Sequence, residues 1–257
     1  MMSLLLLVPL ASCALSMDGL TSRSVDLGRG QPMTVIVPEE NDDAENLEIA
    51  AILGVDTDVV KAQRAALSSV DNAEGQKLWP SSIALARMLT KSSQLSVRDL
   101  DVIEIGSGLG VAGVAAALAG ARSVLLTDFQ PRSLELAEAT AKANGVADVV
   151  RTQLLDWTAP GDLSALGTFD VVLGSDVLYD QELTRALVPN VIAPLLLSPS
   201  RDRSRPESRA LLVDPPLRPS RAMLPELCAG CGLYWGGELP VAEAEEPDTV
   251  AINILRA

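Results

Sequence analysis

From residue 101 onward, short apolar runs alternate with longer helical stretches, and each run is closed by glycine, proline or an acid. The first run, Asp101-Val102-Ile103-Glu104-Ile105, breaks into Gly106-Ser107-Gly108-Leu109-Gly110 and then into a small-residue helix over 111–119. A second strand is predicted over 123–128, a helix over 131–144 ended by Asn144-Gly145, and a third strand over 149–152. A fourth strand follows over 169–174, then a helix over 181–197 that Pro189 and Pro194 should kink or break. A fifth strand spans 210–213, a helix 221–229, and two last apolar runs, 233–235 and 249–255, fit an antiparallel hairpin. Seven strands, the first five separated by helices, predict an α/β chain with a mostly parallel sheet.

Upstream the pattern is thinner. Residues 83–89 form a helix with Ile83, Ala84, Leu85, Met88 and Leu89 on a broad apolar face, and Trp79-Pro80 fixes how the chain enters it. A short strand is predicted over 33–37, stopped by Pro38, and a helix over 56–67 with Thr57 as its cap. Between them Glu39-Glu40-Asn41-Asp42-Asp43 reads as a solvated loop. Residues 3–11 are an apolar run too short to span a bilayer. They fit a targeting h-region, a lipoprotein cleavage pattern at Leu10-Ala11-Ser12-Cys13, or a stretch ahead of a true start at Met17. This divides the chain into a candidate targeting segment (1–17), an acidic extension or lid (18–74) and a main domain (75–257).

Charge and composition then narrow the chemistry. With 34 acidic against 20 basic residues the net charge is −14, so a phosphate backbone would be repelled by most of the surface and nucleic acid is not expected as a partner. The sequence contains no histidine, which excludes Ser-His-Asp and Cys-His catalysis and imidazole metal ligation. Cys228 and Cys231 form a Cys-x-x-Cys pair; a redox pair or half a zinc site is one reading, and small residues closing a helix the other. Zinc would need further ligands, so no metal site is expected. Arginines at 201, 203, 205 and 209, set among Ser and Pro, mark a surface loop whose positive charge is unusual in so acidic a chain.

The candidate chemistry gathers at the strand ends. A strand that turns through glycines into a helix lets a ligand approach bare backbone. Glu104 lies two residues before Gly106 in an otherwise apolar strand, and a buried acid needs a partner. It faces a polar or cationic ligand or a row of backbone N–H groups; a purely structural cap of the loop is the alternative. Asp128 ends the second strand 22 residues after Gly106, the spacing of an acid that accepts from ribose hydroxyls, though it could equally cap the following helix. Asp156-Trp157 ends the third strand with an acid and an aromatic that could bond and pack against an adenine. Asp176 and Tyr179, after the fourth strand, should face the Gly106 loop where strand order reverses. Trp79 is either a core tryptophan or an aromatic wall of the same site.

Glu104-Ile105-Gly106-Ser107-Gly108-Leu109-Gly110 within this strand pattern resembles the class I S-adenosylmethionine-dependent methyltransferases. More narrowly, Leu78-Trp79-Pro80-Ser81-Ser82, Leu155-Asp156-Trp157 and Asp176-Val177-Leu178-Tyr179 are similar to the seven-β-strand protein-lysine methyltransferases, marked by Asp-x-x-Tyr after strand 4. Tyr179-Asp180 and Asp214-Pro215-Pro216 with Arg218 are similar to the branch that methylates the electron-transfer flavoprotein β subunit. The resemblance covers roughly residues 75–255 and implies a Rossmann-like doubly wound sheet and S-adenosyl-L-methionine as cofactor. It implies that Glu104, Gly106, Ser107, Gly108 and Asp128 hold the cofactor's amino-acid and ribose parts, with Asp156 and Trp157 at the adenine. Trp79 and Ser175 would lie beside the methionine portion, and Asp176 with Tyr179 at the target amine. The implied reaction is N-methylation of a lysine ε-amine in a protein substrate, in the cytoplasm or an organelle where the cofactor is found. Three competitors remain at this level: a methyltransferase of small amines, an NAD-dependent oxidoreductase using Gly108-x-Gly110-x-x-Gly113, and a catalytically silent binding module.

Overall fold

The computed structural model describes residues 19–38 except 29 and 31, 76–196, 207–239 and 251–256. The helix expected over 56–67, the acidic loop 39–43, the segment 1–17 and Arg201, Arg203 and Arg205 lie outside these residues.

Seven strands form one sheet in the order β5-β4-β3-β6-β7-β9-β8. The first five in sequence are parallel: β3 (Asp101–Ile105), β4 (Ser123–Asp128), β5 (Val150–Leu154), β6 (Val171–Ser175) and β7 (Arg209–Asp214). Then β9 (Ala251–Arg256) runs antiparallel between β7 and β8 (Tyr234–Leu239). The architecture is the Rossmann-like sheet with a C-terminal antiparallel hairpin that the sequence predicts. Strand order reverses at β3, which lies between β4 and β6, so their carboxyl ends open a crevice there.

The period-2 alternation of β3 divides its residues between two buried layers. Val102 faces one apolar cluster with helices α1 (Pro80–Lys91) and α2 (Val111–Leu118), while Ile103 and Ile105 face the other, with the segment 187–196. Pro80 occupies the first turn of α1, where its missing N–H is not needed, so the helix starts three residues earlier than its apolar face alone suggests. The helix expected over 181–197 is α4 (Gln181–Leu187), continued through a π-helical turn at Val188–Ile192 around Pro189. Proline has no backbone N–H to donate, and the widened turn absorbs the missing bond without breaking the helix.

The strand expected over 33–37 is β2 (Met33–Pro38), paired antiparallel with β1 (Leu20–Val25), which its polar-rich sequence had hidden. This hairpin lies on helix α3 (Pro131–Ala143): Ile36 N–H donates to Thr140 Oγ1 at 3.1 Å and Thr34 N–H to Asn144 Oδ1 at 2.9 Å. Met33, Val35 and Val37 are buried in the same apolar cluster as α1 and α2. Arg209, the last residue of the arginine-rich stretch, belongs to β7, and its Nη2 donates to the Ser96 carbonyl. Helix α5 (Leu224–Gly230) ends at Cys231, whose Sγ faces the Cys228 carbonyl; both thiols are free.

Helix α2 packs against the sheet at a point where position 113 has no side chain. A Cβ on Gly113 would lie 2.2 Å from Leu126 Cδ2 and 2.8 Å from Glu104 Oε2. Gly113→Ala is therefore expected to overpack this layer at a cost of about 1–3 kcal/mol and to lower the thermal midpoint by several degrees. A midpoint equal to wild type would show that α2 can move off the sheet.

Candidate active site

A cavity of about 650 Å³ opens at the carboxyl ends of β3, β4, β5 and β6, within the range that holds a nucleoside-sized ligand. Ten of the eleven residues singled out from the sequence line it: Trp79, Gly106, Ser107, Gly108, Asp128, Asp156, Trp157, Ser175, Asp176 and Tyr179. The exception is Glu104, which lies beneath the loop.

The loop after β3 is bound to the end of β4. Ser107 N–H donates to the Thr127 carbonyl at 2.9 Å, and Gly108 N–H to Asp128 Oδ2 at 2.9 Å. Asp128 Oδ1 accepts from Gln130 N–H at 2.9 Å, so this carboxylate ties two loops together. It does not cap α3, whose N-cap is Gln130. Burial raises its pKa, and the Gln130, Gly108 and Phe129 N–H groups oppose that. Gly106 is left-handed at φ 61°, and a Cβ there would stand 2.8 Å from the Trp157 ring. The indole thus closes over bare backbone, the close approach a glycine permits. Asp156 is held by Thr158, whose hydroxyl and N–H both bond its Oδ1 and lower its pKa.

Glu104 is fully buried, and its Oε2 accepts from Gly113 N–H at 2.7 Å, in the first turn of α2. The other oxygen has no hydrogen-bond partner among the described residues. Burial pushes the carboxyl up to about 8; the Gly113 bond lowers it and the nearby Asp128 charge raises it. A row of backbone N–H groups, one of the two partners expected for it, is therefore represented by a single donor.

Across the cavity, Asp176 follows β6 with φ 59°, a left-handed conformation that aspartate tolerates better than most residues. Its Oδ1 is ion-paired with Arg218 Nη2, and Ser81 Oγ approaches Oδ2 at 3.4 Å. Behind it, Asp214 Oδ1 accepts from Leu178 N–H at 2.9 Å. Asp214 is buried, which pushes its pKa up to about 7 against the Leu178 bond. Tyr179 is half exposed at the mouth. Lys77 also lines the cavity, with Nζ 5.9 Å from the Trp79 ring centre, a cation–π distance. Trp79 itself lines the cavity.

The sequence alone does not reveal the Asp176–Arg218 pair. Arg218 follows two prolines 42 residues later, and only the β6–β7 adjacency brings the two side chains together. Its one sequence signal was the Asp214-Pro215-Pro216 turn.

The donor set suits S-adenosylmethionine. Asp128 presents a carboxylate acceptor for a diol, Trp157 and Trp79 supply aromatic faces, and Ser107 Oγ is buried without a hydrogen-bond partner among the described residues. These polar groups converge on an otherwise apolar cavity, the pattern of a built ligand site.

Comparison with known proteins gives the same direction. The family model described as lysine methyltransferase matches residues 62–200, more than half of the chain. Protein N-lysine methyltransferase METTL21A of Danio rerio is 33% identical over 114 residues, covering 43% of this chain and 51% of that protein. Histone-arginine methyltransferase METTL23 of Xenopus laevis is 31% identical, covering 46% and 50%. The electron transfer flavoprotein beta subunit lysine methyltransferase of Rattus norvegicus is 29% identical, covering 42% and 40%. The matches thus span about half the length of these curated relatives or less. Among solved structures, an O-methyltransferase family protein from Burkholderia thailandensis has a TM-score of 0.52 at 15% identity, covering 68% of this chain and 55% of that one. A TehB-like SAM-dependent methyltransferase from Corynebacterium glutamicum has a TM-score of 0.50 at 18% identity, covering 76% and 95%. At these identities the likeness concerns the fold alone.

Glu104 supplies a test of the site's electrostatics. Its folded pKa of about 8 exceeds the ordinary 4.5, so the unfolded chain releases its proton first and stability falls as pH rises between those values. Glu104→Gln keeps an acceptor for Gly113 and removes this titration. Unfolding curves across pH 4.5–8 are expected to show a shallower decline in the variant; parallel declines would mean that Glu104 is ionised in the fold.

Proposed function

The chain belongs to the lysine methyltransferase family, and from that premise we propose that it transfers a methyl group from S-adenosylmethionine to a lysine ε-amine in a protein. The observation that carries this reading is the arrangement of Asp176 and Tyr179 across one cavity from the glycine loop, Asp128 and Trp157. Asp128 would accept the ribose hydroxyls, Asp156 and Trp157 would take the adenine, and Gly106 to Gly108 with Ser175 and Trp79 the methionine end. Glu104 supports the loop from below through Gly113. The bound cofactor would supply an activated methyl on a sulfonium, and every other requirement falls on the chain.

Those requirements are alignment, exclusion of water and loss of one proton. An unperturbed lysine titrates near about 10.4, so the amine must reach the site uncharged before attack. No histidine is available to accept the proton. Transfer to a half-buried, largely apolar cavity favours the neutral amine by desolvation, so proton loss to water suffices. Asp176 and Tyr179 would hold the nitrogen in line, and positioning supplies most of the rate. We place the substrate among proteins rather than nucleic acids because of the net charge of −14.

S-adenosylhomocysteine at 100 times its dissociation constant is expected to stabilise residues 18–257 by about 2.7 kcal/mol, and NAD not at all. Thermal unfolding with each ligand reads this directly; a shift with NAD alone would reassign the site to a dinucleotide, and no shift with either would favour a silent module. Asp176→Asn keeps the shape and the left-handed backbone. It is expected to lower tritiated methyl transfer into protein by roughly 100-fold or more with the S-adenosylhomocysteine shift retained. Unchanged transfer would remove Asp176 from the mechanism.

A further inference from the structure

The end of β7 and the stretch that follows it grip the Asp-x-x-Tyr loop at three points. Asp176 N–H donates to the Val213 carbonyl at 2.9 Å, Leu178 N–H to Asp214, and Arg218 pairs with the Asp176 carboxylate. The paired side chains are only 16% and 6% exposed, and both residues line the cavity. With Ser81 Oγ near the second oxygen, the carboxylate has partners before any substrate arrives. A cationic group entering here therefore meets no uncompensated anion. It meets a pair of near-zero net charge with a guanidinium on one side.

That arrangement discriminates between the two basic side chains that could be methylated. An amine can shed its proton near about pH 10.4 and enter neutral, its N–H groups donating to remaining lone pairs of Asp176. A guanidinium keeps its charge at every accessible pH and would be pressed against Arg218. We propose that Arg218 is a specificity-determining residue: by compensating Asp176 it makes the acceptor pocket admit an uncharged amine and refuse a guanidinium. This rests on the proposed methyl transfer. Arg218 itself takes no part in bond making: the amine lone pair attacks the methyl, the carbon–sulfur bond breaks towards sulfur, and the amine proton leaves to water. Other charged or titratable groups facing the pair are Asp214 and Arg221 behind it, and Tyr179, Lys77, Asp128 and Asp156 around the cavity.

The test uses peptide pools of random sequence around a fixed central lysine or arginine, with tritiated S-adenosylmethionine, from pH 6.5 to 9.5. Wild type should methylate the lysine pool at least 100-fold faster than the arginine pool, and more rapidly as pH rises. In Arg218→Gln the exposed Asp176 charge favours the ammonium, so the midpoint of the lysine profile should move up by about one unit and the lysine preference shrink at least tenfold. Arg218→Lys, which keeps the charge, should retain the wild-type midpoint. A uniform loss of rate in Arg218→Gln with the midpoint fixed would reduce Arg218 to a structural role and overturn the inference. A second measurement needs no variant: a norleucine-centred pool should inhibit wild type at least tenfold better than an arginine-centred one. Equal or stronger inhibition by arginine overturns the inference. Transfer to neither pool, with the S-adenosylhomocysteine shift intact, overturns the proposed function and takes this inference with it.

Discussion

Two backbone N–H groups, those of Gly108 and Gln130, converge on the single carboxylate of Asp128. One belongs to the turn after β3 and the other to the turn after β4, so this acid fixes the distance between two loops that the parallel register alone leaves free. The Trp157 ring then rests against the backbone at Gly106. Remove the carboxylate and the loop loses the contact that holds its glycines at the cavity's edge.

Asp128 is one of three acids used in the same way. Glu104 takes the N–H of Gly113, Asp128 that of Gly108, and Asp214 that of Leu178, and all three are buried at or near strand ends around the site. For each, burial is the largest influence on its proton and raises the pKa. A site built on buried carboxyls is held rigidly, because an orphaned N–H below 10% exposure costs roughly 1–3 kcal/mol. Asp176 differs from them in being balanced by a full positive charge.

Most of this arrangement was legible in the sequence because its signals are local. A strand breaking into Gly106-Ser107-Gly108 and an acid at the end of the next strand are short-range patterns, and the sheet order follows from them by topology. The interactions that the sequence does not reveal are those between distant segments. Arg218 reaches Asp176 only because β7 lies beside β6, and no spacing rule connects residues 42 apart. The sequence marks Glu104 as needing a partner, yet the identity of that partner, the N–H of Gly113, depends on how closely α2 packs. Strand β1 is not legible in the sequence because Thr21, Ser22, Arg23 and Ser24 interrupt its apolar pattern, and its place is set by pairing with β2.

The hairpin also bears on where the molecule can be cut. Its sequence is separated from α1 by a long acidic stretch, which invites treating everything before residue 75 as dispensable. Yet Met33, Val35 and Val37 share one apolar cluster with α1 and α2, and Thr140 and Asn144 spend their polar atoms on Ile36 and Thr34. A chain trimmed at residue 75 would carry a bare apolar stripe along α3, the kind of surface that associates rather than stays in solution. The smallest portion worth isolating begins ahead of Leu20.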